Sequence, residues 1–212
     1  VLEAVREQDR IAVSAFLEAG GCRVEYLPSD IPLHFILELT DGRDTASVEV
    51  RHSHMNVVAL SRNGEDIFRL PEEEQGTGAD RSELNIGSIK EFADTVPAER
   101  IKPLFDKQIR YNMDIAYEGI SGDYGLNIGR MIRSSYPDGV VTRMKAYAAA
   151  ASEARMSGCD MPVIINSGSG NQGIASSVPV VIYAREKDIP QERLYRALAF
   201  SALLTIHQKD HI

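Results

Sequence analysis

The chain has 212 residues, 43% hydrophobic and 25% charged, an ordinary globular mix with length enough for one core or two small lobes. Its 23 basic and 31 acidic residues give a formal net charge of -8, which weighs against a general nucleic-acid binder or a protein drawn to anionic membranes. Cys22 and Cys159 are the only cysteines, so these residues are no disulfide scaffold and cannot supply four thiolates to a zinc or iron–sulfur centre.

The chain opens at Val1 on VLEAVREQDRIAVSAFLEAG, which is charged throughout and has no signal-peptide core. No run approaches the roughly 20 apolar residues of a membrane span, so a cytoplasmic protein with no membrane partner is expected. Leu2, Val5, Ile11, Val13, Phe16 and Leu17 fall at mainly helical spacings, and Gly20-Gly21 end that helix. From Cys22 the period becomes two. Leu33, Phe35, Leu37 and Leu39 alternate with His34, Ile36 and Glu38, and Ala46, Val48 and Val50 alternate again. Asp41-Gly42 and Asn63-Gly64 lie between such runs, the strongest short-range signal for hairpins. Residues 22–69 are therefore expected to form an antiparallel sheet of three to five strands, with Cys22 in its core. LPEEEQGTGADRSE, residues 70–83, reads as a solvent-exposed loop.

Beyond it the pattern is helical. A short helix is expected over 88–95. Pro97 opens another, running through Tyr117 to breaks at Gly119 and Gly122. Helical spacing resumes over 126–132, then 140–156, where AYAAAASEARM permits close approach of a neighbour. The last two helices are expected over 174–187 and 191–209, with Pro190 between them. The fold class is α+β: a small antiparallel sheet with a flanking helix, then a mostly helical half. The expected division is a sheet lobe of residues 1–83 and a helical lobe of 84–212.

The sharpest chemical feature is Asn166-Ser167-Gly168-Ser169-Gly170-Asn171-Gln172-Gly173, set between an apolar run and a helix-like segment. Its glycines free the backbone and its N–H groups and neutral side chains suit a carboxylate or phosphate at a helix N-terminus. It lacks the GK[ST] ending of a Walker A loop and is no Rossmann GxGxxG. The competing reading is a polar glycine-rich linker. In Arg51-His52-Ser53-His54-Met55-Asn56, His52 and His54 would share a face if the strand stays extended. His207 and His211 are four apart on a helix, yet HQKDH lacks the glutamate of HExxH. No metal site is expected at either pair; His54 and Asn56 are expected to contact substrate. Cys159, beside Asp160, reads as a structural cysteine. Gly119, Gly122, Gly125 and Gly129 are either close-packing points or a second loop over a pocket, with Asp123 and Tyr124 its only titratable groups.

In order, HSHMN (52–56), EFADTVP (91–97), GDYGLNIG (122–129), AYAAAASEARMSGCDMPV (146–163) and NSGSGNQGI (166–174) resemble the iron–sulfur L-serine dehydratase alpha-subunit superfamily, and more closely its L-cysteine desulfidase branch. The match runs over nearly the whole chain, which resembles the central portion of a longer family member. The resemblance implies a lyase that eliminates the β-substituent of a small L-amino acid, cysteine or serine, giving pyruvate, ammonia and sulfide or water. It implies a [4Fe–4S] cluster whose ligands lie downstream of Ile212 and a catalytic base, a cysteine in a GCTEP-like motif, upstream of Val1. Carried over residue by residue, Ser167, Gly168, Ser169, Gly170, Asn171 and Gln172 would hold the substrate carboxylate or face the cluster, and His54 and Asn56 would line the same pocket. No metal is expected on this segment, and these residues alone should be inactive. A homodimer is left open. The reading from a different class is a non-catalytic domain that binds an amino acid or carboxylate; a structural linker is a third.

Overall fold

The computed structural model describes residues 4–31, 33–71 and 81–209. The loop expected over 70–83 lies largely outside the described residues. Two compact units divide the chain, Arg6–Asp80 and a helical unit from Arg81 onward.

In the first unit, α1 (Glu7–Glu18) starts where the Asp9 carboxylate accepts the Arg6 N–H at 2.8 Å, a capping interaction. It ends before Gly20, whose φ of +73° suits the absent side chain, and it buries none of its own side chains. Strands β1 (His34–Thr40), β2 (Thr45–Arg51), β3 (Val57–Arg62) and β4 (Glu65–Arg69) form one antiparallel sheet in sequence order. Residues 22–31 form no strand, and Cys22 is exposed; alternation there was too weak to recruit a ladder partner. Phe35 pairs with Val50, Leu37 with Val48 and Leu39 with Ala46, placing the apolar alternation on one face. Asn63 and Gly64, both at positive φ, turn β3 into β4 as the sequence predicts.

On the other face Glu49 accepts hydrogen bonds from His34 Nε2 at 2.8 Å and Arg51 Nε at 2.6 Å. Burial alone would raise its carboxyl, but the His34 and Arg51 hydrogen bonds outweigh it and hold it below the ordinary value of 4.5. A depressed carboxylate contributes stability above its unfolded value, lost as pH falls through the folded one. Urea unfolding midpoints between pH 7 and 3 should therefore fall more steeply below 4.5 in wild type than in Glu49→Gln. Parallel profiles would contradict this.

The helical unit consists of α2 (Ile86–Thr95), α3 (Ala98–Ser121), α4 (Ile128–Ser135), α5 (Val140–Met156), α6 (Gly170–Glu186) and α7 (Gln191–Lys209). Its core joins Ile115 of α3, Ala151 and Ala154 of α5, Ile174, Val178 and Val181 of α6 and Leu198 of α7. The alanines of α5 act as anticipated, and the glycines opposite them are the complement. A Cβ on Gly119 would stand 2.3 Å from the Ala150 carbonyl oxygen, and one on Gly129 would stand 2.6 Å from that of Ala146. Gly119 therefore lies inside α3 rather than breaking it: backbone contact outweighs its poor helix propensity. The Glu153 carboxylate accepts the N–H groups of Leu126 at 2.6 Å and Ile128 at 2.7 Å and so seats the start of α4. Among the described residues no helix is long and apolar enough to cross a membrane.

Candidate functional site

The glycine-rich segment is two structures in succession. Asn166 and Ser169 exchange backbone hydrogen bonds at 3.0 and 2.9 Å, and between them Ser167 and Gly168 have φ of +49° and +80°. Two positive φ values inside a doubly bonded pair define a type I′ turn. Ser169 is then the N-cap of α6, its Oγ accepting the Gln172 N–H at 3.3 Å. Gly170 to Gly173, read from the sequence as loop, are the first turn of α6. Their glycines conceal the helix because they are selected for contact: a Cβ on Gly173 would stand 2.0 Å from the Ile164 carbonyl oxygen.

Two buried asparagines fix this turn. Asn112 of α3, 1% exposed, accepts the Ile164 N–H at 2.8 Å through Oδ1. Its Nδ2 donates to Ile164 O, Gly173 O and Ser177 Oγ at 3.2, 3.1 and 2.9 Å. It thus clasps the segment entering the turn and the helix leaving it. Asn166 Nδ2 donates to Ala202 O of α7 at 3.2 Å. Asn166 is therefore committed to the scaffold, while Ser167, Gly168, Ser169, Asn171 and Gln172 retain exposure.

The N–H groups of Gly170 and Asn171 have no partner among the described residues, as expected for the first two donors of a helix. Two cations flank them. Arg155, from the end of α5, lays its guanidinium against Gly170 and donates from Nη1 to Asn171 Oδ1 at 3.3 Å. Lys209 Nζ donates to Ser167 O at 2.7 Å. Neither cation has a carboxylate partner among the described residues. Donors without acceptors, two positive side chains and the positive end of a helix make a concentration of positive potential on an acidic protein. Sequence reasoning missed Arg155, Lys209 and Asn112. The two cations read as helix-end basic residues, favourable to the dipole there, and nothing local marks Asn112.

The other expected site residues separate from this cluster by unit. β2 stops at Arg51, His52 takes φ +65°, and residues 52–55 form a turn. His52 and His54 therefore do not share a strand face. His54 is exposed, and Asn56 donates from Nδ2 to Arg51 O at 2.9 Å, closing the turn. Both lie in the sheet unit, whereas residues 167–172 lie in the helical unit. His207 is in the last turn of α7; His211 lies outside the described residues. Cys159 packs against the helical core. Tyr124 donates to Glu118 Oε1 at 2.8 Å, and that bond, with Cys159 next to it, raises the phenol above its ordinary value. It is held neutral, as a donor. Among the described residues no group of three or more His, Cys, Asp or Glu side chains is placed to hold a metal ion. With two cysteines in the chain, the residues present do not fit an iron–sulfur cluster.

A family model described as "Serine dehydratase alpha chain" matches residues 2–212. Similar curated proteins carry the designation UPF0597. One from Desulfitobacterium hafniense is 40% identical over 214 residues, covering 100% of this chain and 50% of that protein. One from Lachnoclostridium phytofermentans is 38% identical over 213 residues, covering 100% and 51%. One from Treponema denticola is 40% identical over 220 residues, again covering 100% and 51%. The chain spans about half the length of these relatives. No solved structure matches it.

Proposed function

The chain belongs to the serine dehydratase alpha chain family, and from that premise we propose that the full-length protein is a lyase acting on a small L-amino acid, cysteine or serine. The observation that carries this reading is the anion-ready turn at Ser167–Gln172, where two N–H groups have no partner and two cations no carboxylate among the described residues, on a doubly clasped scaffold. An amino acid's carboxylate is the group that such an arrangement holds. Anchored there, the substrate is oriented before its Cα–H bond breaks, which lowers the entropic part of the barrier.

The reaction proposed is β-elimination. A base takes the α-proton, the Cα–H electron pair forms the Cα=Cβ bond, and the β-substituent leaves as hydrosulfide or, once protonated, as water. The enamine tautomerises to an imine and hydrolyses to pyruvate and ammonia. Ser167, Gly168, Ser169, Gly170, Asn171 and Gln172 of the helical unit are assigned to substrate binding, and His54 and Asn56 of the sheet unit are proposed as further substrate contacts. The base and the [4Fe–4S] cluster belong in this reading to parts of the longer protein outside these residues. A domain that binds an amino acid without turning it over is the rival reading. Pyruvate and ammonia release by the full-length protein separates the two.

A further inference from the structure

We propose that Arg155 is the residue that recognises the substrate's α-carboxylate, and that Gly170 is glycine in order to seat its guanidinium. This rests on the assignment of Ser167–Gln172 to an amino-acid site and names the residue that selects the acid over its neutral analogues.

Arg155 is partly exposed, and its described contacts are all with neutral groups: Asn171 Oδ1 at 3.3 Å and Met156 Sδ at 3.7 Å. A guanidinium has five donors in a planar fork, and these two contacts leave most of that fork unused. On a chain with 31 acidic residues, an arginine packed against the scaffold with no carboxylate partner among the described residues retains its charge for something that arrives from outside.

The placement is specific. A Cβ at residue 170 would stand 2.4 Å from Arg155 Nε and 2.8 Å from Cζ. Only glycine leaves that volume to the guanidinium without displacing it. Asn171 Oδ1 accepts from one of its donors, which holds the fork beside the N–H groups of Gly170 and Asn171 that have no partner among the described residues. A carboxylate placed against the turn would thus receive a charge-assisted hydrogen bond from Arg155, with backbone donors alongside. Lys209 is tied to Ser167 O on a long flexible stem and adds positive potential without that planar fit.

The probe is L-alanine, which carries the α-carboxylate and ammonium but no β-leaving group, compared with L-alaninamide, in which the carboxylate is neutralised. Calorimetric titration of the full-length protein measures both. A hydrogen bond to a charged group contributes about 1.5–3 kcal/mol, so Arg155→Met should weaken L-alanine roughly 10- to 150-fold. The same variant should leave L-alaninamide within about twofold. Gly170→Ala keeps the arginine but pushes its guanidinium aside, and should reproduce the selective loss. Circular dichroism shows whether each variant is folded.

Equal weakening of both ligands in folded variants, or no weakening of L-alanine, would overturn the proposal, as would a wild-type protein that does not distinguish the two ligands. A wild-type protein that binds L-alanine through Arg155 but releases no pyruvate from cysteine or serine would refute the lyase reading and leave this one standing. One that turns over its substrate equally well without Arg155 would do the reverse.

Discussion

Asn112→Ala should destabilise the helical unit by about 3–5 kcal/mol, among the largest losses expected from one substitution. The side chain is 1% exposed and makes four hydrogen bonds, two to the Ile164 backbone, one to the Gly173 carbonyl and one to Ser177 Oγ. Gly173 O keeps a second partner, since the Ser177 hydroxyl donates to it at 2.6 Å. Ile164 has no such reserve in its N–H. Each polar group left unsatisfied costs about 1–3 kcal/mol, and the vacated volume adds a cavity cost. Asn112→Leu fills the volume without restoring the bonds, so it should recover only the cavity part. Urea unfolding of the wild type and the two variants gives the comparison. A loss below about 1 kcal/mol in Asn112→Ala would show that the clasp is not what holds the turn.

Gly173→Ala sets two principles against each other. In a helix interior, alanine is favoured over glycine by about 1 kcal/mol, so propensity predicts a gain. Packing predicts a loss, because the new Cβ would lie 2.0 Å from the Ile164 carbonyl oxygen. That oxygen is backbone, held by Asn112, and cannot swing away as a flexible side chain would. Overpacking costs about 1–3 kcal/mol and more where the obstacle is rigid, so the net should be a loss of about 2 kcal/mol. Gly168→Ala is the control. Nothing lies within 4 Å of its Cβ, and its φ of +80° should cost only the left-handed strain, about 1–2 kcal/mol. Thermal and urea unfolding of both variants decide the matter. A Gly173→Ala protein as stable as wild type would mean that α6 can slide away from Ile164, and that the turn is not rigidly set.

These two residues also show where the sequence was readable and where it was not. The bounds of α5 and α7 are where the spacing put them, because alanine-rich composition in one and Pro190 before the other are local signals. The antiparallel sheet followed from alternation and two turn dipeptides, also local. Gly119 was misread as a break and Gly170–Gly173 as loop because the glycines there meet Ala150, Arg155 and Ile164, all distant in sequence or on another element. Asn112 reaches Ile164 across 52 residues, and no spacing rule connects such a pair. The eight-residue motif itself was visible as an anion-suited segment. Its cations were not, since Arg155 and Lys209 look like ordinary helix-end residues until the fold places them on the turn. His52 and His54 do not pair for a simpler reason: sharing a face required the strand to stay extended through residue 54, and β2 ends at Arg51, three residues earlier.

We propose that this turn belongs to the substrate site of an amino-acid lyase. The most direct test is the rate of pyruvate release from L-cysteine and from L-serine by the full-length protein. The protein is purified without oxygen, its iron is counted, and wild type is set beside Ser169→Ala at equal iron content. Wild type should release pyruvate with equimolar ammonia from at least one of the two amino acids. Removing the Ser169 hydroxyl should lower kcat/KM roughly 10-fold or more, about 1.4 kcal/mol of transition-state binding. No pyruvate from an iron-replete wild-type protein, or an unchanged rate in the variant, would contradict it.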